Sequence, residues 1–149
     1  MRVLLAIDDS EFSAVAAHAL ASRVHAKGTA VLIVRVIEPL LLTAIPTMEP
    51  AYAAQMAARL EDDRKQANES LARTADLLRR AGFQVDTRVA EDEVRAAILD
   101  IASEWHADLI VVGSHGRKGL QKFLLGSVAE SVMRHAKCST WIVRMPSRA

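Results

Sequence analysis

The 149-residue sequence is poor in most features that mark a specialised chain. It has one cysteine, Cys138, so neither an intrachain disulfide nor a CxxC metal site is available. Aromatic residues make up 4% and the formal net charge is +1, which gives no general pull toward nucleic acid or an anionic membrane. No apolar run approaches the roughly 20 residues of a membrane span, and the run VLIVRVI is interrupted by Arg35. The opening MRVLLAIDDS turns acidic too soon for a secretory leader. A cytoplasmic protein without membrane or nucleic-acid partners is expected. Neither GxxxxGK[ST] nor GxGxxG occurs, so the P-loop and dinucleotide fingerprints are missing.

What is present is an ordinary globular balance, 51% hydrophobic and 25% charged, at a length that suits one domain over 1–149. Five apolar, β-branched runs recur: VLLAI (3–7), AVLIVRVI (30–37), FQVDTRVA (83–90), DLIVVG (108–113) and TWIVR (140–144). Helical spacing separates them. Phe12, Val15, Ala16, Ala19 and Leu20 share a face, with Gly28 as the expected stop. Residues 49–81 carry a stripe of Met56, Leu60, Ala67, Leu71, Ala75 and Leu78, with Pro50 in the first turn and Gly82 at the end. Val94, Ala97, Ile98, Ile101, Ala102 and Trp105 form the cleanest stripe, preceded by acidic Glu91, Asp92 and Glu93 as a helix dipole favours. Val128, Val132, Met133 and Ala136 form a shorter one. Alternating strands and helices, with runs apolar throughout, predict an α/β fold: a single doubly wound, Rossmann-like domain on a parallel sheet with helices on both faces. Ligands of such sheets bind beyond the carboxyl ends of the strands.

At those ends lie Asp8-Asp9-Ser10, Glu38-Pro39 and, after the fourth run, GSHGRKGLQKFLLGS, residues 113–127. This last stretch holds four of the six glycines together with Arg117, Lys118 and Lys122. Gly113 and Gly116 would let an anion approach bare backbone, and Gly126-Ser127 opens a helix whose N–H groups and dipole suit phosphate. Ser127-Val128-Ala129-Glu130 also matches the S-x-x-E capping box. A capping role for Ser127 and a phosphate-donor role are both open, and the two are compatible. Cys138 reads as a packed residue.

The spacing G-x2-G-x9-G-S, at Gly113, Gly116, Gly126 and Ser127, resembles the nucleotide-binding motif of the universal stress protein family. GSHGRKGLQKFLLGSVAESVMRHAKC resembles that family's C-terminal signature and VLLAIDDSEFS its first strand and turn, while 40–81 resembles it least. The resemblance implies a five-stranded parallel sheet in the order 3-2-1-4-5, with ATP or a related adenine nucleotide across the strand ends. It places Ala6 and Asp8 in the nucleotide site, Asp8 at the ribose or as a Mg²⁺ ligand, and the Val36 backbone at the adenine edge. Gly113, Ser114, His115, Gly116 and Arg117 would line the ribose and phosphate path, and Gly126, Ser127 and Val128 the phosphates. The family commonly has glycine where this chain has Asp9, whose carboxylate would either help hold Mg²⁺ or repel phosphate. Lys137-Cys138-Ser139 also replaces a usually proline-rich lead into the last strand.

The implied activity is that of a nucleotide-dependent stress-response regulator or sensor, not an enzyme, with slow ATP hydrolysis as a variant and an unknown protein partner. An apolar last strand, 140–144, would pair two copies into a homodimer. A dimeric interaction module without nucleotide is the alternative. An ATP pyrophosphatase reading fails because the turn DDSEFS has no glycine. A phospho-receiver reading lacks the aspartate and lysine it needs at the ends of the third and fifth strands, which read Val89-Ala90-Glu91 and Val143-Arg144. Residues 40–46, an apolar loop, would pack on a partner or cover the site.

Overall fold

Strands whose residues are apolar on both faces need cover on both faces, and the fold supplies it. The structure is a computed structural model that describes residues 1–39, 49–116 and 125–145. In chain order the elements are β1 (Arg2–Ile7), α1 (Glu11–Arg23), β2 (Ala30–Ile37), α2 (Pro50–Arg80), β3 (Gln84–Glu91), α3 (Val94–Glu104), β4 (Leu109–Gly113), α4 (Ser127–His135) and β5 (Ser139–Val143). The strands form one parallel sheet in the order β3-β2-β1-β4-β5, as expected. Leu5 sits opposite Ile33 on one side and Val111 on the other, at the centre of the sheet.

Side-chain alternation divides the core in two. Val3, Leu5 and Ile7 of β1 pack with Ala16, Ala17 and Leu20 of α1 and with Leu71, Ala75 and Leu78 of α2. Leu4 and Ala6 point the other way, onto Ala97, Ile98 and Ile101 of α3 and Ala129 and Val132 of α4. Leu4, Leu5, Leu20, Ile33, Leu78, Ile98 and Ile110 are fully buried, each side chain contributing about 1.5–3 kcal/mol against exposure.

Several boundaries differ from the sequence reading. Helix α1 ends at Arg23, where Val24 turns extended, and Gly28 (φ 75) serves the later turn into β2. The reading of α2 holds: Pro50 stands in its first turn, and Gly82 (φ 92) follows it. β3 is mostly exposed because it is an edge, and Asp86 and Arg88 put charge there. The last strand runs Ser139–Val143, one residue earlier than expected.

From β1 the chain winds outward through β2 to β3, then crosses to β4 on the opposite side of β1. The winding therefore reverses between β1 and β4, and their carboxyl ends part to leave a crevice.

Candidate functional site

The crevice is built first by the turn after β1. Asp8 Oδ1 accepts three hydrogen bonds, from Ser10 Oγ (2.6 Å), Ser13 Oγ (2.6 Å) and the Ser10 amide (3.2 Å). The Asp8 amide in turn donates to Ser13 Oγ at 3.0 Å, so the buried Ser13 braces both ends of the residue. Ser10 meanwhile caps α1, its side chain accepting from the Ser13 amide. One hydroxyl-rich knot therefore fixes the carboxylate and starts the helix.

Asp9 takes the left-handed conformation, φ 63, which costs an L-residue roughly 1–2 kcal/mol. That explains why glycine suits this position. Its carboxylate turns toward Arg35 of β2, with Oδ2 3.0 Å from the guanidinium. The expectations for Asp9, holding a metal or repelling phosphate, thus meet a carboxylate already paired with Arg35.

The second wall comes from the end of β4. Gly113 lines the crevice, but a Cβ there would lie 2.8 Å from the Phe12 carbonyl carbon, so its requirement is the close approach of β4 to α1. Ser114, expected in the site, is turned inward. It is 2% exposed, lies outside the cavity lining, and pairs its hydroxyl with His115 Nδ1 at 3.1 Å. Its amide donates to Val143 O. His115 does line the cavity, yet its ring lies 5.0 Å from that of Phe12, and its buried Nε2 has no hydrogen-bond partner among the described residues. At Gly116 a Cβ would meet Asp8 Oδ2 at 2.6 Å, so the bare backbone there lets the carboxylate lie beside the chain. Arg117, Lys118 and Lys122 fall outside the described residues, as does the loop 40–46.

The third wall is the start of α4. Gly126, not Ser127, is the N-cap, and among the described residues no side chain caps the helix. The capping-box reading is thus corrected: Ser127 is the first helical residue and exposed, while Glu130 reaches forward to Arg134 at 2.9 Å. Gly126 packs on the β4 turn, where a Cβ would stand 3.1 Å from His115 Cα, and its own amide donates to Ser114 O at 2.8 Å. The Gly126 amide is therefore engaged, and the N–H groups that α4 leaves over are those of Ser127, Val128 and Ala129.

These walls enclose a cavity of about 710 Å³, within the usual size for small-ligand sites. Ala6, Val34, Val36, Ile98 and Val112 give it an apolar floor, and Asp8, Gly116, Gly126, Ser127 and Val128 a polar end. Of the residues expected there, Ala6, Asp8, Val36, Gly113, His115, Gly116, Gly126, Ser127 and Val128 do converge. Residues the sequence did not mark complete the lining: Arg35, Arg59 and Asp63 of β2 and α2, and Glu93 and Arg95 at the start of α3. Glu93 caps α3 through the Ala96 amide and bonds Arg95 at 2.6 Å, and those contacts hold its carboxyl below the usual range, Arg95 contributing most. Their only sequence signal is charge beside a strand end. Among the described residues no cluster of three histidine, cysteine or acidic side chains is placed to hold a metal.

A family model for universal stress proteins matches residues 1–144. The chain belongs to the universal stress protein family. A universal stress protein of Methanocaldococcus jannaschii is 33% identical over 85 residues, 57% of this chain and 50% of that protein. One from Synechocystis is 36% identical over 85 residues, covering 57% and 55%. The chain thus spans about half the length of these curated relatives. Among solved structures, a universal stress protein of Lactobacillus plantarum matches with a TM-score of 0.83 at 18% identity, over 97% of both chains. One of Archaeoglobus fulgidus in complex with dAMP matches at 0.67 and 21% over 95% and 96%, and one of Arabidopsis thaliana with AMP bound at 0.65 and 15% over 99% and 93%. At these identities the structural likeness establishes a shared fold.

Proposed function

We propose that this universal stress protein binds ATP or a related adenine nucleotide in the crevice and acts as a nucleotide-dependent regulator or sensor of the stress response. The observation that carries the reading is the start of α4: a helix whose N-cap is Gly126, a residue without a side chain, opening on a cavity whose facing wall is Gly116 laid against Asp8. Unsatisfied N–H groups and a positive dipole end favour phosphate, and the apolar floor beside Val36 suits a base. The dAMP and AMP carried by the Archaeoglobus and Arabidopsis proteins support an adenine nucleotide as the class of ligand.

In this reading phosphate oxygens accept hydrogen bonds from the amides of Ser127, Val128 and Ala129, and the Ser127 hydroxyl adds a donor. Asp8 Oδ1 is held by three donors, and Oδ2 lies beside Gly116, on the side where the ribose or Mg²⁺ would approach. One carboxylate fits Mg²⁺ only together with ligand phosphates, the usual arrangement for that ion. Bound Mg²⁺ would neutralise phosphate charge beside Asp8.

A regulatory rather than catalytic role accords with His115, whose Nδ1 meets Ser114 and whose Nε2 is packed away from solvent, an arrangement unsuited to activating water. Isothermal titration with ATP, ADP and AMP, with and without Mg²⁺, tests the reading. Saturable binding in the micromolar to millimolar range is expected, weakened at least tenfold by Gly116→Ala; no heat at millimolar nucleotide would hand the chain to the interaction-module reading.

Self-association is proposed alongside. β5 is an edge strand whose Thr140, Trp141 and Ile142 stay partly exposed, flanked by Met133 (49% exposed) and Met145 (37%). Light scattering should report a dimer at tens of micromolar, and a monomer in the Trp141→Asp variant.

A further inference from the structure

Two residues stand out as misfits when each is taken alone. Arg35 puts a charge in a strand buried at seven of its eight positions, and Asp9 occupies a left-handed position that favours glycine. The register β1–β2 brings them together: Ile7 pairs with Arg35, so the guanidinium emerges at the carboxyl end of β1, beside the Asp8-Asp9 turn. There its NH2 group lies 3.0 Å from Asp9 Oδ2, and NH1 points at Ile7 O at 3.5 Å. Arg35 is 6% exposed and lines the cavity, whereas Asp9 does not. A cation taken this far from water keeps its charge and interacts strongly with any anion admitted to the same space.

We infer that Arg35 is a ligand-binding residue of the cavity and Asp9 its positioning residue, the pair setting how strongly the site favours anionic ligands. The inference rests on the proposed nucleotide binding and adds a contact that the glycine motif does not contain. Asp9 orients the guanidinium and also competes with the ligand for it. Aspartate is among the few L-residues that visit this backbone conformation, and the ion pair fixes where its carboxylate points. The charge on the ligand therefore decides the size of the effect, and a neutral nucleoside lacks it altogether.

The experiment is a titration of ATP, AMP and adenosine into the parent protein and into Asp9→Asn, Arg35→Met, Arg35→Lys and the Asp9→Asn/Arg35→Met double variant. Asparagine tolerates the left-handed conformation, and lysine keeps the charge, so both test the pair with the fold intact, as thermal melts will verify. For Asp9→Asn the expected result is a gain of roughly fivefold for ATP, a smaller gain for AMP, and no change for adenosine. Arg35→Met should lose about tenfold for ATP, with Arg35→Lys between it and the parent. In the double variant the gain from Asp9→Asn should vanish, the non-additivity expected of residues acting on one another. Equal changes for adenosine and ATP, or additive effects of the two substitutions, would overturn the inference while leaving nucleotide binding in place. If neither the parent nor Asp9→Asn binds any of the three ligands at millimolar concentration, the binding reading fails and the inference with it.

Discussion

Adding one carbon at Gly113 separates a packing requirement from a binding one. The ideal Cβ position lies 2.8 Å from both the carbonyl carbon and the Cβ of Phe12, and 2.9 Å from its carbonyl oxygen. Ordinary contact between such atoms is about 3.5–4 Å, so α1 and β4 must part by roughly 0.7 Å or more. The obstacle is mostly main chain, which a rotamer change cannot clear. Overpacking of this kind costs about 1–3 kcal/mol, and Gly113→Ala belongs at the upper end. For a chain of this length about 3 kcal/mol lowers the melting temperature by roughly 6–12 °C. Circular dichroism melts of Gly113→Ala and Gly116→Ala, side by side, give the answer. At Gly116 the clash is with the tip of a side chain, Asp8 Oδ2, so that variant should melt closer to the parent and show its defect in nucleotide titration instead. A Gly113→Ala protein melting within about 2 °C of the parent would refute the close approach of β4 and α1 on which the crevice geometry depends.

Further outcomes follow from single contacts. Ser13→Ala removes a buried hydroxyl that braces Asp8 at 2.6 Å and 3.0 Å, and should cost about 1–3 kcal/mol in denaturant titration. Glu91 and Glu93 both sit below the ordinary carboxyl range, chiefly through hydrogen bonds from Arg64 and Arg95 respectively. A carboxyl lowered by folding stabilises above its unfolded pKa, about 4.3, and that contribution is lost as pH falls through the folded value. Stability should therefore decline below about pH 4.3, less steeply in Glu91→Gln, with a small amplitude because solvent screens both groups. Burial first, and Asp108 second, push the Cys138 thiol above its ordinary value, so iodoacetamide at pH 8 should modify it slowly in the native protein and quickly after unfolding.

How far the sequence foretold this arrangement depends on the range of the interaction. Runs such as VLLAI and DLIVV read as strands because both their faces are buried, a property each residue carries by itself. The strand order came from the family resemblance, since crossover direction leaves no periodic trace. At α4 a local rule misled: Ser127 and Glu130 have capping-box spacing, but Gly126 takes the cap and Arg134 takes the glutamate. Ser114 looked like part of the binding loop, yet the turn after β4 directs it inward. Asp9 and Arg35 were each conspicuous, but 26 residues and a sheet register separate them, and neither alone points to the other. Arg59 and Asp63 reach the cavity only because α2 lies over the carboxyl end of β2, which no motif announces.

The central claim is that nucleotide phosphates lie on the main-chain amides at the start of α4. Backbone amide NMR during titration with AMP and ATP tests it residue by residue. The account predicts saturable downfield movement of the Ser127, Val128 and Ala129 amides, with Gly126 moving less because its N–H already donates to Ser114 O. Saturable shifts elsewhere in the molecule, with these three amides unmoved, would contradict it.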